Sequence, residues 1–256
     1  MIRPVATADA PDERLAAHYG DPLREQREIL AAGAVVDRSN RPVLAVSGPD
    51  RLGWLHDITS QHLARLPAMS GTEALVLSPH GHVEHHLMLL DDGESTWIDV
   101  EPGTADALVQ YLNSMRFLLR VEIADVSADW AVATVLGPGQ GATLIPEATD
   151  LPAPAPGEPY PAARLAAGGF ARRLPSLPHD GVAVVDLIFP RNSPLEGLQL
   201  AGLWAYDALR VEAARPRLGI DTDARTLPHE VGWIGSAVHL DKGCYRGQET
   251  VARVHN

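Results

Sequence analysis

The sequence predicts an α+β protein built from antiparallel sheets and packed helices. Amphipathic segments with helix-start and helix-stop residues are interspersed with short apolar runs, and turn residues separate neighbouring runs. Regular strand–helix–strand alternation, the pattern of a parallel sheet, is absent from the sequence. The 256 residues suffice for one large domain or two modest ones, and 45% apolar residues are enough for a core.

The first elements are a helix, a strand and a second helix. Asp21 followed by Pro22 predicts an N-cap with proline at the first helical position, and Gly33 ends that helix. Residues 43–46 predict a short buried strand, and a second helix begins at Asp50. Its apolar positions recur at helical spacing: Leu52, Leu55 and Ile58.

The next segment, residues 73–100, predicts antiparallel β structure with turns at 78–81 and 91–93. Thr104 predicts the N-cap of a helix. The proline-rich stretch 146–161 predicts an exposed loop or linker. The remaining predictions are strands at 121–126, 130–136, 164–172 and 182–189, and a helix at 202–213.

Charge and cysteine content exclude several classes. The net charge of −12 argues against direct binding of nucleic acid or an anionic membrane. The lone Cys244 cannot form an internal disulfide or hold a zinc finger or iron–sulfur cluster alone, which predicts a reducing, cytoplasmic setting. No run approaches the roughly 20 apolar residues of a membrane-spanning helix, and residues 1–10 do not resemble a signal peptide.

Four histidines cluster at His80, His82, His85 and His86. On a strand, His82 and His86 would share a face with Glu84, a set that could bind zinc. Residues on one face of one strand project side by side and do not converge easily. We therefore predict a solvated hairpin face and no metal site.

The glycine-rich segment 137–141 follows a predicted strand and could cradle a phosphate. It lacks the Lys-Ser/Thr ending of a P-loop and the G-x-G-x-x-G spacing of a dinucleotide site. We predict a plain strand–helix turn.

Residues 207–213 read D-A-L-R-V-E-A on a predicted helix. Asp207 and Arg210 are three residues apart and can form an ion pair. Glu212 lies about 160° around the helix from Arg210. Spacing alone leaves Glu212 as either a surface acid or a carboxylate aimed into a cleft, and it favours the surface.

The segment with the most reactive groups is residues 242–249, K-G-C-Y-R-G-Q-E. If the chain is extended there, Lys242 and Cys244 share a face, and the ammonium would favour the thiolate. Tyr245, Gln248 and Glu249 add an aromatic ring and hydrogen-bonding groups. The alternative is a tight loop with a buried, inert cysteine, and the residues alone leave both open.

This segment resembles the K-G-C-Y-x-G-Q-E signature of YgfZ-type folate-binding proteins, which are relatives of the glycine-cleavage T-protein, an aminomethyltransferase. Residues 207–213 resemble the D-x-L-R-x-E-A segment of the same superfamily. The segments 43–60, 216–221 and 227–230 extend the resemblance through most of the chain.

The resemblance implies a tetrahydrofolate-binding scaffold of several domains. Residues 1–46 and 128–235 would form a discontinuous folate-binding domain, 47–127 an inserted α+β domain, and 236–256 a cysteine-signature segment leading into a third, β-barrel domain that is largely absent. Glu212 would accept two N–H bonds from the aminopyrimidine edge of the pterin. The other implied folate-binding residues are Arg210, Lys242, Cys244, Tyr245, Gln248 and Glu249.

Three functions follow from the resemblance. The first is a folate-binding accessory protein that assists iron–sulfur protein assembly or repair and, indirectly, tRNA modification, with iron–sulfur proteins as partners. The second is an aminomethyltransferase. In this sequence Asp99 replaces the asparagine of the T-protein V-N-A segment, and Asp106 falls near the position of the T-protein's catalytic aspartate. Asp106 also stands at a predicted helix start, where the helix dipole favours an acid. The third is a non-catalytic protein-interaction module. The cysteine signature favours the first, and the candidate catalytic residues are Cys244 and Asp106.

Overall fold

The computed structural model describes residues 5–6, 11–138, 144–177, 181–193 and 198–255. The predicted glycine-rich turn lies outside these residues from position 139 onward. The strands, in chain order, are β1 Val5–Ala6, β2 Ala16–His18, β3 Ala34–Asp37, β4 Val43–Ser47, β5 Ser70–Leu77, β6 Val83–Asp91, β7 Ser95–Asp99, β8 Glu122–Asp125, β9 Trp130–Gly137, β10 Tyr160–Arg164, β11 Phe170–Leu174, β12 Ala183–Pro190 and β13 Leu200–Ala201. The helices are α1 Pro22–Ala32, α2 Arg51–Ile58, α3 Ala105–Met115, α4 Leu203–Glu212 and α5 Gln248–His255, with 3-10 turns at Pro146–Ala148 and Pro228–Val231.

The chain divides into two compact units. Each unit combines strands with helices, which confirms the predicted α+β class. The first unit comprises Met1–Arg41, Ser127–Ala155 and Tyr160–Ala214, and the second comprises Pro42–Val126, Pro156–Pro159 and Arg215–Asn256. The predicted domain boundaries stay a prediction. Within the described part of the chain, no helix is long and apolar enough to cross a membrane.

The first unit contains a sheet in the spatial order β13-β3-β9-β12-β11-β10. Its pairs are antiparallel except β13 with β3, which run parallel. β9 and β12 pair along their whole length and are almost entirely buried, so they form the centre of this unit. Side chains such as Val35, Val135 and Val185 meet in one apolar cluster.

Helix α1 has the predicted caps. The Asp21 Oδ1 atom accepts the backbone N–H groups of Leu23 and Arg24 at 3.0 and 3.1 Å. Pro22 occupies the first helical position, and Gly33 ends the helix with φ +90°. The cap residues therefore fixed both ends of this helix correctly.

The second unit contains an antiparallel sheet in the order β5-β6-β7-β4-β8. Because successive strand residues point to opposite faces, Ala74 and Val76 join a core with α2 and α3, whereas Leu75 and Leu77 join a second cluster. The second cluster contains side chains from the last part of the chain: Trp233, Ala237, Val238, Tyr245 and Val251. This sheet is therefore covered on both faces.

Two predicted elements differ from the structure. The predicted strand 164–172 is a hairpin of β10 and β11, because Gly168 and Gly169 have φ of +91° and +95° and turn the chain. A Cβ atom at Gly169 would lie 2.1 Å from the Ile188 carbonyl oxygen. Thr104 precedes α3 as predicted, but its hydroxyl donates to the Glu101 carbonyl instead of capping the helix.

Candidate functional site

Two of the predicted folate-binding residues lie at the end of α4 in the first unit. Arg210 is buried, and its Nε donates to Asp207 Oδ1 at 2.5 Å, which confirms the predicted ion pair. Glu212 is the last residue of α4 and is exposed, as its spacing from Arg210 predicts. The helix therefore holds Arg210 inside and presents the Glu212 carboxylate to solvent.

The remaining predicted residues lie in the second unit, where the chain bends at 242, has no regular secondary structure at 243–245 and turns at 246–247. Lys242 is 5% exposed, and its Nζ donates to the carbonyl oxygens of His56 and Thr59. Cys244 is exposed. The predicted shared face of Lys242 and Cys244 is wrong, and so is the alternative of a buried cysteine.

The direction of Lys242 has a physical cause. His56 and Thr59 lie at the carboxyl end of α2, where carbonyl groups lack partners within the helix and carry partial negative charge. The ammonium group satisfies two of them. Burial lowers the pKa of Lys242 to about 8, and nearby Asp57 opposes this shift. Lys242 thus fastens the signature segment to the end of α2.

Three imidazoles accompany this lysine contact. The His56 and His62 rings lie 4.7 Å apart between centroids, and the His62 and His239 rings 5.5 Å apart. Burial lowers the pKa of His56, and the positive charge of Lys242 lowers it further. The surroundings of Lys242 therefore disfavour additional positive charge.

Tyr245 is the second anchor of the signature segment. Its ring is buried in the second apolar cluster and lies 5.1 Å from Lys242 Nζ, and burial raises the pKa of its hydroxyl. Its carbonyl oxygen accepts the Gln248 N–H at 3.2 Å, where α5 begins. Glu249 is exposed in the first turn of α5, a position that the helix dipole favours for an acid.

The two glycines of the segment differ in their structural roles. Gly247 has φ +82°, and a Cβ atom there would lie 2.5 Å from the Ser78 carbonyl oxygen in the turn before β6. Gly243 has open space around it and no positive φ. The geometry therefore requires glycine at 247 and gives no reason for glycine at 243.

The histidine cluster differs from its prediction. His85 and His86 are each 8% exposed, so the predicted solvated face is wrong at these two positions, whereas His80 and Glu84 are exposed as predicted. His86 Nε2 lies 2.9 Å from Glu73 Oε2, and its ring stacks on Trp233 at 4.7 Å. Burial lowers the pKa of His85 to about 4. Both faces of this sheet are covered, which the local sequence does not reveal.

Across the described ranges, no group of three or more His, Cys, Asp and Glu side chains could hold a metal ion.

The transferase candidates lie at the end of β7 and the start of α3. Asp99 is fully buried at the last position of β7, and Asp106 is exposed in the first turn of α3. Asp106 occupies the helix-start position that the dipole favours. It is also accessible to a ligand.

Sequence reasoning missed a buried ion pair in the family-like segment 216–221. Arg217 Nη2 lies 2.9 Å from Glu101 Oε2, and Arg217 is 4% exposed. The backbone N–H of Arg217 also donates to Asp221 Oδ2 at 2.8 Å. The only local signal was an arginine between a proline and a leucine, since its partner lies 116 residues earlier.

Comparison with known proteins finds curated relatives named aminomethyltransferase, although no family model matches the chain. An aminomethyltransferase of Symbiobacterium thermophilum is 27% identical over 258 residues, covering 92% of this chain and 68% of the relative. An aminomethyltransferase of Bordetella petrii is 26% identical over 223 residues, covering 84% of this chain and 61% of the relative. The chain therefore spans about two thirds of the length of these relatives.

Among solved structures, the glycine cleavage system aminomethyltransferase T of Bartonella henselae matches with a TM-score of 0.77. The match covers 99% of this chain and 71% of that protein at 18% identity, so it shows the fold. The named relatives and the shared fold together place this chain in the superfamily of the glycine-cleavage T-protein, aminomethyltransferase.

Proposed function

We propose that this protein binds tetrahydrofolate or a one-carbon derivative and acts as an accessory protein in iron–sulfur protein assembly or repair, with an indirect effect on tRNA modification. The observation that carries this proposal is the exposure of Cys244 on a segment whose neighbours Lys242 and Tyr245 are buried. Such an arrangement presents a thiol at a fixed position, and a thiolate is a ligand for iron–sulfur clusters.

The folate part of the proposal is supported by Glu212. A carboxylate at the carboxyl end of a helix is unfavourable with the helix dipole, so helix stability does not explain this residue. Its exposure leaves both oxygens available for two parallel N–H donors, as the edge of a pterin offers.

We expect Glu212→Gln to weaken tetrahydrofolate binding by at least about tenfold, because hydrogen bonds to a charged acceptor contribute about 1.5–3 kcal/mol. Anaerobic isothermal titration of the wild-type protein and the variant measures this. Glu13→Gln, an exposed glutamate in the same unit, is the matched control and should bind like the wild type. Equal affinities for all three proteins would contradict the role of Glu212, and a folded wild type that does not bind would favour the interaction-module alternative.

The second candidate, an aminomethyltransferase, is favoured by the names of the relatives and by the exposure of Asp106. The assay is tetrahydrofolate-dependent release of ammonia from an aminomethyl-lipoyl carrier protein. The accessory function predicts no release by the wild type. Release that Asp106→Asn abolishes and Cys244→Ser preserves would instead establish the transferase.

A further inference from the structure

Among the residues that the structure describes, the two most exposed large apolar side chains lie on one short loop after α3. In this loop, residues 116–120, Phe117 is 81% exposed, Leu118 is 100% exposed and Leu119 is 42% exposed. Three consecutive apolar side chains in water are unfavourable, and contiguous exposed apolar surface marks interaction sites. The loop sequence R-F-L-L-R also carries two arginines and no acid, in a chain of net charge −12.

The loop is held rigidly at both ends. On one side, the carbonyl of Met115 accepts the Trp54 Nε1–H at 3.0 Å, and the Leu119 N–H closes a turn on the Arg116 carbonyl at 3.1 Å. On the other side, Asp50 accepts three hydrogen bonds from Arg120, one from its backbone and two from its guanidinium.

The backbone of the loop shows the same constraint. A Cβ atom at Gly48 would lie only 2.1 Å from the Arg120 carbonyl oxygen, so the two chain segments are in close contact. Phe117 has φ +48°, a conformation that non-glycine residues rarely adopt. The apolar side chains are therefore presented in a fixed arrangement, which reduces the entropy lost on binding.

A hollow lies next to the protruding side chains. It is an open hollow of about 530 Å³ lined by residues 47, 48 and 116–122, so Phe117 and Leu118 themselves form part of its wall. The same patch also carries opposite charges, because Arg116 and Glu122 are both exposed and have no ion-pair partner among the described residues. One patch thus contains protruding apolar side chains, a hollow, a free arginine and a free glutamate among the described residues.

From this combination we propose that the loop is the contact of a symmetric dimer of this chain. A two-fold contact brings the same patch together twice, so the patch must be complementary to itself. Phe117 and Leu118 of one copy would enter the hollow of the other, and Arg116 would pair with the second copy's Glu122. The arginines also lower the repulsion between two acidic chains at this point.

The test is analytical ultracentrifugation of the full chain over a range of concentrations. The wild type should dimerise, and Leu118→Asp should raise the dimer dissociation constant by at least about tenfold, since the substitution enters the contact twice. Leu23→Asp is the matched control, because Leu23 is also exposed, at 66%, but lies in the first unit. Circular dichroism melting should show both variants folded, since both side chains lie in solvent.

A charge exchange tests the pairing. Arg116→Glu and Glu122→Arg should each weaken the dimer, and the double variant should restore it. A wild type that remains monomeric, or a dimer weakened equally by Leu23→Asp, would overturn the proposal. Binding of the monomer to phosphatidylserine-containing vesicles that Leu118→Asp abolishes would overturn it in favour of a membrane contact.

Discussion

Replacing Arg51 by methionine is expected to lower the free energy of unfolding of the second unit by about 3–5 kcal/mol, because it leaves a buried carboxylate without its cation. Asp91 is 1% exposed and accepts hydrogen bonds from Arg51 Nε and Nη2 at 2.9 and 2.8 Å. The Thr96 hydroxyl and the Gly93 N–H donate to the same carboxylate at 2.6 and 2.9 Å. Arg51 begins α2, so this pair joins the helix to the hairpin of β6 and β7.

The measurement is urea unfolding together with hydrogen exchange of peptides from β6 and β7, which report on the second unit separately. Arg120→Met is the matched control: it also removes a bidentate arginine, but the Arg120 and Asp50 side chains are 74% and 26% exposed. An exposed pair contributes far less than a buried one. A loss of stability in Arg51→Met no larger than in Arg120→Met would show that water reaches Asp91.

The second large effect is a pH dependence from Lys242. Burial lowers its pKa in the folded protein to about 8, against an ordinary value of 10.5. Between these values the unfolded chain binds a proton that the folded chain does not, so stability rises with pH. The difference in unfolding free energy between the wild type and Lys242→Met should therefore grow by about 3 kcal/mol from pH 8 to 10.5. Below pH 8 the difference should be constant.

The chain has a convenient feature for this experiment, because Lys242 is its only lysine. The ¹³Cε resonance of labelled lysine needs no assignment and reports the pKa directly in the folded protein. A resonance that titrates near 10.5, or a stability difference that stays flat above pH 8, would show that the ammonium is not desolvated.

The sequence predicted the features whose causes are local. The N-cap, proline and glycine of α1 are within 13 residues of one another, and the Asp207–Arg210 pair is fixed by helical spacing. The exposure of Glu212 followed from the same spacing. Each of these depends on backbone geometry that neighbouring residues determine.

The features that sequence reasoning missed depend on distant parts of the chain. Lys242 turns inward because the end of α2, 183 to 186 residues away, offers carbonyl groups. His85 and His86 are buried because covering elements exclude water from both faces of their sheet. Neither fact is visible in the alternation of polar and apolar residues, since the alternation describes only one strand at a time.

The covering of the second sheet has a consequence for synthesis on the ribosome. Leu75 and Leu77 become buried only when Trp233, Tyr245 and Val251 pack against them. Ribosomes add about 5–20 residues per second, so this apolar face stays open for on the order of ten seconds after it leaves the exit tunnel. The first unit has its last residue at Ala214, so it can fold in that interval. The second unit therefore finishes last, and a chaperone has its longest opportunity to bind at β5.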